Sequence, residues 1–398
     1  IRGLKENMLD MNNRDILLVA RPDHSMKIYE ALLKQRDLSF NYITFKVVPY
    51  FVKKILPIKK LQTVTQNSHI STIATIKQVF KKTWHFKFAQ GWQTDDMLSS
   101  DTNRARKVCN YRIIHFWPEY TYSAINDMIQ KDPNTIYIAD MYMPNPIVVL
   151  EEMHSVYEYY GLNDGSNSWI EEYASKIEEH FKYVNNIMVA SSYVADTMRV
   201  TFPGKNYIIV PYGITISPYY KKRNVGLNLC KFVYVGRVSV EKGCDILLEW
   251  FVKHPEYELH LFGEICGSQT RIFDRYCEFN NIKFHGTVSK SQLMEEIPRC
   301  DVGLHFSRFD AYSLAVGEII GCGLPVIVSD KTGIKDDVLK YGFGLVTRLT
   351  IEDINLAIKK ICSHDFYQTC IDNIDAYIAS KPKPFGELVI NKYKDLLA

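Results

Sequence analysis

The chain has 398 residues, of which 46% are hydrophobic and 23% are charged. This composition is typical of a folded globular protein and excludes a disordered or collagen-like chain. The 48 basic and 45 acidic residues give a formal net charge of +3 at pH 7, which does not call for nucleic acid as a partner. At about 100–200 residues per domain, the length predicts two or three domains.

Cysteine usage and hydropathy indicate the compartment. The nine cysteines form no Cys-x-x-Cys pair, so we expect reduced thiols and a cytoplasmic location rather than a disulfide framework. No run approaches the roughly 18 consecutive apolar residues of a membrane-spanning helix, and we expect no transmembrane segment.

Short runs rich in β-branched residues alternate with longer stretches of helical apolar spacing. In the first half, strands are predicted at residues 16–20, 112–116, 135–139, 186–190 and 207–210, with a helix through 29–33. In the second half, strands are predicted at residues 232–235, 258–262, 282–284, 302–305 and 325–328. Apolar runs of this kind suit strands buried on both faces of a parallel sheet. The pattern predicts an α/β fold with two doubly wound, Rossmann-like domains.

Turn formers at residues 211–218 mark the predicted join between the domains. The division gives an N-terminal domain at 1–212 and a C-terminal domain at 213–380. A Lys-Pro-Lys-Pro break then precedes a last helix within 381–398, which we expect to pack back on the N-terminal domain.

A first candidate site follows the predicted strand 232–235. Gly236 and Arg237 come directly after that strand, and Lys242 stands where a helix begins. Backbone N–H groups at a glycine turn and a helix N-terminus, with two cations, make a site for a phosphate or diphosphate. The alternative is a solvated Arg and Lys on a loop. The carboxyl end of a parallel strand is where open α/β sheets bind ligands, and the sequence leaves both interpretations open.

A second candidate site follows the predicted strand 302–305. Asp310 and Glu318 are eight positions apart, with a helix predicted to begin near Ser313. One carboxylate then precedes the helix and the other lies inside it, so the two can reach opposite ends of one ligand. The alternative is a helix cap and a solvated glutamate. Against it, the helix around Glu318 is mostly apolar, where an unpaired carboxylate is costly.

The segment from Asp310 to Val328 resembles the family 4 retaining glycosyltransferases, also called glycosyl transferases group 1, which have the GT-B fold. The shared pattern is an acid, seven residues, Glu, a turn of small residues and Gly-x-Pro-Val-Ile. The upstream motifs occur in the same order, with these residues: Gly236, Arg237, Lys242, Gly243, Phe262, Gly263, Phe284, Gly286 and Val288. Val-Pro-Tyr-Gly-Ile at 210–214 resembles the interdomain Val-Pro-Asn-Gly-Ile of the family. The agreement covers residues 186–340.

The resemblance implies two Rossmann-like domains that face each other across a cleft. It places a nucleotide sugar mainly on the second domain, where Gly236, Gly263 and Val288 belong to the binding motifs. By the same analogy, Arg237 and Lys242 bind the diphosphate and offset the charge that develops as it leaves.

Further roles follow from the same resemblance. Glu318 accepts hydrogen bonds from the ribose hydroxyls, and Asp310 holds hydroxyls of the transferred sugar. The N–H groups of Ser313 and Leu314 face the diphosphate. His115, the histidine that follows a strand in the first half, reaches across the cleft to the donor sugar. A structural role is the alternative for this histidine.

Two departures from the family pattern affect these expectations. The first acid of the pair is usually Glu. Asp310 is one methylene shorter, so we expect its contacts with the sugar hydroxyls to be shifted or the donor preference to be changed. The glycine-rich loop after the first strand is replaced by Arg-Pro-Asp-His-Ser at 21–25. Within it, Asp23 and His24 are polar groups at the carboxyl end of a central strand, and we predict that they contact the acceptor.

Metal and nicotinamide sites are not expected. The eleven histidines include no His-x-x-x-His pair, and the sequence has no Asp-x-Asp motif that carries a divalent ion in other glycosyltransferases. A dehydrogenase would need Gly-x-Gly-x-x-Gly after a strand, and none is present. We therefore expect no metal and no cofactor.

A basic stretch in the first half suggests a membrane contact. Residues 41–120 contain 13 lysines and arginines against 4 aspartates and glutamates. Aromatic and aliphatic residues interleave with lysine at 45–60 and 80–88, a pattern that suits an anionic membrane surface. The alternative is a solvated basic face over an ordinary core. Nothing else in the sequence resembles a nucleic-acid module.

Together, these features predict a metal-independent retaining glycosyltransferase. The resemblance implies that it moves a hexose from a nucleotide diphosphate sugar, with UDP-sugar favoured, to a growing cell-surface polysaccharide such as lipopolysaccharide or to a lipid-linked glycan. The basic stretch would add a peripheral contact with the inner face of the cell membrane. The alternatives are a non-catalytic GT-B partner that binds a nucleotide sugar and a GT-B sugar-nucleotide epimerase.

Overall fold

The computed structural model describes residues 13–21, 24–44, 48–49, 63–64, 67–70, 96–162, 168–222 and 231–398. These residues form two large parallel sheets with helices packed on them. This arrangement confirms the predicted α/β fold with two doubly wound sheets.

The first half contributes a seven-stranded sheet and a separate two-stranded one. The strands are Asn13–Val19 (β1), Phe40–Thr44 (β2), Val48–Pro49 (β3), Thr63–Val64 (β4), Ser68–Ile70 (β5), Asn110–Phe116 (β6), Ile136–Met141 (β7), Asn186–Val189 (β8) and Asn206–Ile209 (β9). The large sheet has the order β5-β2-β1-β6-β7-β8-β9, and β3 pairs with β4 alone. All these pairs are parallel. Buried apolar residues dominate β1 because both faces of this central strand are covered.

Six helices accompany these strands among the described residues. They are His24–Leu32 (α1), Ser99–Val108 (α2), Pro118–Lys131 (α3), Pro146–Tyr160 (α4), Ser168–Phe181 (α5) and Ser192–Thr201 (α6). Local sequence sets their ends, as α4 illustrates. The Asn145 side chain accepts a hydrogen bond from the Ile147 N–H, Pro146 occupies the first turn, and Gly161 ends the helix in the left-handed conformation.

The second half contributes a six-stranded sheet. Its strands are Lys231–Val235 (β10), Glu258–Phe262 (β11), Ile282–Gly286 (β12), Val302–His305 (β13), Val326–Ser329 (β14) and Gly344–Thr347 (β15), in the order β12-β11-β10-β13-β14-β15. The helices are Cys244–Lys253 (α7), Thr270–Phe273 (α8), Lys290–Glu296 (α9), Leu314–Gly321 (α10), Lys335–Tyr341 (α11), Ile351–Ile361 (α12), His364–Ala379 (α13) and Phe385–Leu397 (α14).

Five strands were not expected from the sequence: the short strands β3, β4 and β5, of two or three residues each, and the longer strands β2 and β15. The strand β2 interrupts its apolar residues with Asn41, so it lacks the continuous run by which the other strands were recognised. The edge strand β15 begins with Gly344, a residue that weakens strand patterns. Pairing with β14 forms β15 nonetheless. Pairing with a neighbouring strand, rather than local sequence, therefore makes β2 and β15 strands.

The connection between the sheets lies directly against α10. A Cβ atom on Gly321 would lie 1.9 Å from the carbonyl oxygen of Thr215, and the Ser217 N–H donates to the Gly321 carbonyl over 2.9 Å. The Gly213 N–H donates to the Tyr312 hydroxyl over 3.2 Å. The glycine in α10 thus lets the helix and the connecting segment pack backbone to backbone.

A second set of contacts joins the two halves at α6. The Ser192 N–H and hydroxyl both donate to the Asp336 carboxylate, over 2.8 and 2.7 Å. The Ser191 hydroxyl donates to the Ala311 carbonyl over 2.9 Å. Because Ala311 follows Asp310 directly, the first half touches the loop that carries the predicted sugar-binding acid.

The last helix, α14, packs against α1 at the first sheet. A Cβ atom on Gly386 would lie 2.2 Å from the Lys27 carbonyl oxygen and 2.8 Å from the Cβ of Ala31. At the other end of the helix, the Lys394 ammonium lies 2.8 Å from the Asp37 carboxylate. The absence of a side chain at residue 386 therefore allows the two helices to approach closely.

We predict that Gly386→Ala lowers the free energy of unfolding by about 1–3 kcal/mol, because the added methyl group would overlap the backbone of α1. In a helix with free space around the glycine, the same change raises the free energy of unfolding by up to about 1 kcal/mol. A decrease in this free energy therefore indicates close packing at residue 386. Urea unfolding followed by circular dichroism measures it. Gly204→Ala is the matched control, since its Cβ would meet no atom within 4 Å. Equal effects of the two changes would contradict the packing account.

Candidate functional site

A cavity of about 280 Å³ opens at the carboxyl ends of β10 and β13. Its lining includes Lys242, His305 and Asp310 from the second half, and His24, Tyr142 and Tyr212 from the first half and the connection. The cavity therefore lies between the two sheets. Ligands of open α/β sheets bind at this end of the strands.

Three glycine turns support the second-domain side of this cavity. Gly236 and Gly263 both have φ near +144°, and a Cβ on Gly263 would lie 1.9 Å from the Gly236 carbonyl oxygen. The Gly236 N–H donates to the Phe262 carbonyl, and the Gly263 N–H donates to the Gly286 carbonyl. The structure thus gives these glycines a packing role, because they let the loops after β10, β11 and β12 pack together.

Gly243 sets the position of Lys242. This glycine has φ near +65°, and a Cβ atom here would lie 1.8 Å from the Phe306 carbonyl oxygen. No other residue type fits this left-handed turn at the start of α7 without moving the backbone. The close approach brings the Lys242 ammonium to the loop after β13, where its Nζ lies 2.6 Å from Oδ2 of Asp310.

Asp310 is held by three neighbours. Beside Lys242, the His305 Nε2 lies 3.4 Å from the same oxygen, Oδ2, and the Tyr312 N–H donates to Oδ1 over 3.2 Å. Burial on its own would raise the pKa of this carboxyl, but the Lys242 charge and the His305 ring outweigh it and hold the pKa well below its usual range. Asp310 is therefore an ionised acceptor at neutral pH.

His305 is the site residue that sequence analysis missed. It ends β13, its side chain is 4% exposed, and its ring lies parallel to the Tyr234 ring at 6.3 Å between centroids. Burial lowers the pKa of this imidazole below its ordinary value, so the ring is neutral at pH 7. Its position at the end of a predicted strand, five residues before Asp310, was the available signal.

A buried ion pair fixes the loop that carries Asp310. Both guanidinium Nη atoms of Arg308 donate to the Asp245 carboxylate, over 2.7 and 2.8 Å, and Nη1 also contacts the Val240 carbonyl. The Tyr160 hydroxyl from α4 donates to the same carboxylate over 3.0 Å. A bidentate pair of this kind gives the loop a defined geometry.

The first residues of α10 lie at the cavity, as the sequence predicted. Ser313 and Leu314 both line it. Ser313 has φ near +71°, in the left-handed region that costs a non-glycine residue about 1–2 kcal/mol. Strain of this kind concentrates at functional sites.

Glu318, Val288 and Arg237 are not part of the cavity lining. Glu318, further along α10, forms an ion pair with Lys290 at the start of α9. Lys290 was not predicted, and its position beside a Ser-x-x-Gln capping box that starts α9 was the only signal. Val288 packs against the core, and Arg237 is exposed on the loop after β10.

The structure corrects the expectation for His115. Its Nδ1 lies 2.6 Å from the Tyr393 hydroxyl of α14, and its Nε2 lies 3.4 Å from Oδ2 of Asp140. The ring is fully buried because the residue lies inside β6, one position before that strand ends. His115 therefore cannot reach across the cleft, and it joins α14 to the first sheet.

The predicted acceptor residues divide between described and undescribed segments. The ring of His24 stacks on Tyr212 with 4.0 Å between centroids, at the wall of the cavity. Asp23 lies outside the described residues, as do 80–88 and all of 45–60 except β3.

Further features concern metals, thiols and membranes. Within the part of the chain that the structure describes, no three His, Cys, Asp or Glu side chains are grouped for a metal ion. The eight cysteines among those residues are free thiols. None of the helices seen there is both long and apolar enough to cross a membrane.

The comparisons with known proteins find a family match and curated relatives that each cover part of the chain. Residues 221–374 match the family described as glycosyl transferases group 1. The O-antigen biosynthesis glycosyltransferase WbnH of Escherichia coli is 26% identical over 169 residues, which cover 41% of this chain and 44% of that protein. An uncharacterised 41.2 kDa protein in the cps region of Klebsiella pneumoniae is 26% identical over 34% of this chain and 37% of its own length. The chain thus matches less than half the length of these curated relatives.

Solved structures resemble the chain over nearly its whole length. A sucrose-phosphate synthase from Thermosynechococcus elongatus has a TM-score of 0.61 at 13% identity, covering 96% of this chain and 99% of that one. HepE from Anabaena, solved in complex with UDP and glucose, has a TM-score of 0.59 at 15% identity, covering 97% and 100%. These likenesses show the fold.

The ion pair between Lys242 and Asp310 gives a stability prediction with a defined pH dependence. The depressed pKa of Asp310 means that its ionised form stabilises the folded state above the unfolded value near 3.8, and that this contribution is lost as the pH falls through the folded value. We expect Asp310→Asn to lower the free energy of unfolding by about 1–3 kcal/mol between pH 5 and 8. The deficit should shrink below pH 4 in urea unfolding. A deficit that stays constant or grows down to pH 3 would contradict the pairing.

The motifs, the two facing sheets and the comparisons point the same way. Residues 221–374 match glycosyl transferases group 1, and the chain has two facing Rossmann-like sheets, the arrangement of the GT-B fold.

Proposed function

We propose that the protein is a metal-independent retaining glycosyltransferase that transfers a hexose from a UDP-sugar to a growing cell-surface polysaccharide or lipid-linked glycan. The observation that carries this proposal is the ionised Asp310 beside Lys242 in a cavity between two Rossmann-like sheets. An anionic acceptor next to a cation is the pair of groups that a sugar diphosphate requires. The carboxylate can accept from sugar hydroxyls, and the ammonium can bind phosphate oxygens.

The leaving group dictates where positive charge is needed. As the bond between the sugar and the diphosphate breaks, negative charge develops on the diphosphate. Lys242 and the N–H groups at the start of α10 offset that charge at the cavity, and Arg237 adds an exposed cation from the loop beside it. The Glu318 carboxylate, which pairs with Lys290, can accept hydrogen bonds from the ribose hydroxyls.

Retention of configuration follows from the family resemblance. The acceptor hydroxyl would attack the face that the diphosphate leaves, with a donor phosphate oxygen taking its proton. This route requires no protein nucleophile, and the side chains described at the cavity serve to bind, orient and neutralise charge. Because the sequence carries no Asp-x-Asp motif, we expect EDTA to leave transfer unchanged.

The relatives support the substrate classes. Two similar proteins of Escherichia coli are named as O-antigen biosynthesis glycosyltransferases, one of them as probable. HepE was solved with UDP and glucose. We extend these classes to this chain as a nucleotide-sugar donor and a polysaccharide or lipid-linked acceptor. We also propose that the basic segments 45–60 and 80–88 bring the enzyme to the inner face of the cell membrane, where a lipid-linked acceptor resides.

The test uses charge-removing variants of the two acids. We expect Asp310→Asn and Glu318→Gln each to lower the rate of hexose transfer at least ~100-fold, since each removes an interaction with the reacting donor. Transfer is measured with labelled UDP-glucose and UDP-galactose and a mixture of lipid-linked acceptors, in EDTA. Circular dichroism checks that the variants fold.

The matched control is Glu296→Gln, an exposed acid that pairs with Arg299 on the surface of the same domain. It should keep full activity. A wild-type protein that binds UDP-sugars yet transfers nothing to any acceptor would point to the non-catalytic partner instead. Conversion of a UDP-sugar to its epimer without any acceptor would point to the epimerase.

A further inference from the structure

His305 is a buried polar side chain without a hydrogen bond. Neither of its ring nitrogens has a hydrogen-bond partner, although the residue is 3% exposed. An unpaired buried polar group costs free energy, so its presence requires a reason. The nearest charged atom is Oδ2 of Asp310, 3.4 Å from His305 Nε2, which is too long for a good hydrogen bond.

Asp310 and a donor diphosphate compete for Lys242. The Lys242 Nζ lies 2.6 Å from Oδ2 of Asp310. Under the proposed function, on which this inference rests, Lys242 also binds the diphosphate. When the ammonium turns toward phosphate oxygens, Oδ2 loses its close cation, and a largely buried carboxylate without a partner is unstable.

His305 offers a replacement at Oδ2 of Asp310. The Tyr312 N–H already donates to the other oxygen, Oδ1. The Tyr234 hydroxyl donates to the Arg237 carbonyl over 2.7 Å, and the Tyr234 ring lies parallel to the imidazole. The Nε2 atom of His305 has no hydrogen bond and lies 3.4 Å from Oδ2, so a shift of about 0.5 Å completes an ordinary N–H···O bond.

We propose that His305 is a positioning residue. When Lys242 binds the donor diphosphate, His305 replaces it as the hydrogen-bond donor to Oδ2 of Asp310. The neutral imidazole donates its Nε2 hydrogen and holds the carboxylate against the hydroxyls of the donor sugar. His305 therefore acts on the sugar half of the donor and not on the nucleotide half. If the side chain served only to fill the core, replacing it would weaken the binding of UDP and of UDP-sugar to the same extent.

The experiment compares UDP with UDP-sugar. Isothermal titration with UDP, UDP-glucose and UDP-galactose gives the dissociation constants of the wild type, His305→Leu and His305→Gln. We expect His305→Leu to weaken the preferred UDP-sugar at least tenfold while UDP changes less than twofold. His305→Gln, which restores an N–H donor, should recover most of the loss. If the leucine variant does not fold, His305→Asn replaces it, because its amide is too short to reach Oδ2.

A double variant and a control make the interpretation specific. In an Asp310→Asn background, His305→Leu should cause no further loss of UDP-sugar affinity, because the two residues act as one unit. His254→Leu, which removes a stacked histidine at the end of α7, should leave the ratio of the two affinities unchanged.

The outcomes separate the two claims. Equal weakening of UDP and UDP-sugar by His305→Leu, or no weakening of either, overturns the role of His305 and leaves the proposed function intact. Failure of the wild type to bind any nucleotide overturns the proposed function, and the role of His305 falls with it.

Discussion

The site depends on the ion pair between Lys242 and Asp310, which joins the loops after two neighbouring strands. The pair forms because the glycine turn at residue 243 lets α7 begin against the Phe306 backbone, and because Arg308 fixes the next loop through Asp245. An ionised carboxylate and an ammonium are then held 2.6 Å apart at the cavity mouth. A ligand that enters must replace the interaction that each group loses, so the pair selects for a molecule with hydroxyls at one end and anionic oxygens at the other.

The first half of the chain contributes packing contacts that hold the site in place, more than it contributes charged groups. The Ser191 hydroxyl contacts the loop around Asp310, and Ser192 bonds to Asp336 in α11. The connecting segment packs on α10 at Gly321. The stack of His24 on Tyr212 forms the facing wall of the cavity. His115 belongs to this framework, since it joins α14 to β6 through Tyr393. Geometry at the second-domain site is therefore coupled to the packing of the first domain.

Sequence reasoning identified the strands and the charged residues that face the cavity from the second half. Both Lys242 and Asp310 line the cavity, because their spacing from the predicted strand ends places them at one edge of the sheet. Sequence reasoning failed for His115, since position along a strand does not reveal which side chains another helix covers, and α14 arrives from the far end of the chain. It also missed Lys290, whose partner Glu318 lies 28 residues further along the chain, and His305, whose burial beside Asp310 is set by tertiary packing.

The central claim is that the carboxyl edge of the second sheet binds a nucleoside diphosphate. Thermal unfolding of the purified protein in EDTA, with UDP, GDP, ADP or NAD at saturating concentration, tests it most directly. The account predicts a clear rise in melting temperature with UDP, since a ligand at 100 times its Kd adds ~2.7 kcal/mol to the free energy of unfolding. A response to NAD alone, or to none of the four nucleotides, would contradict the claim.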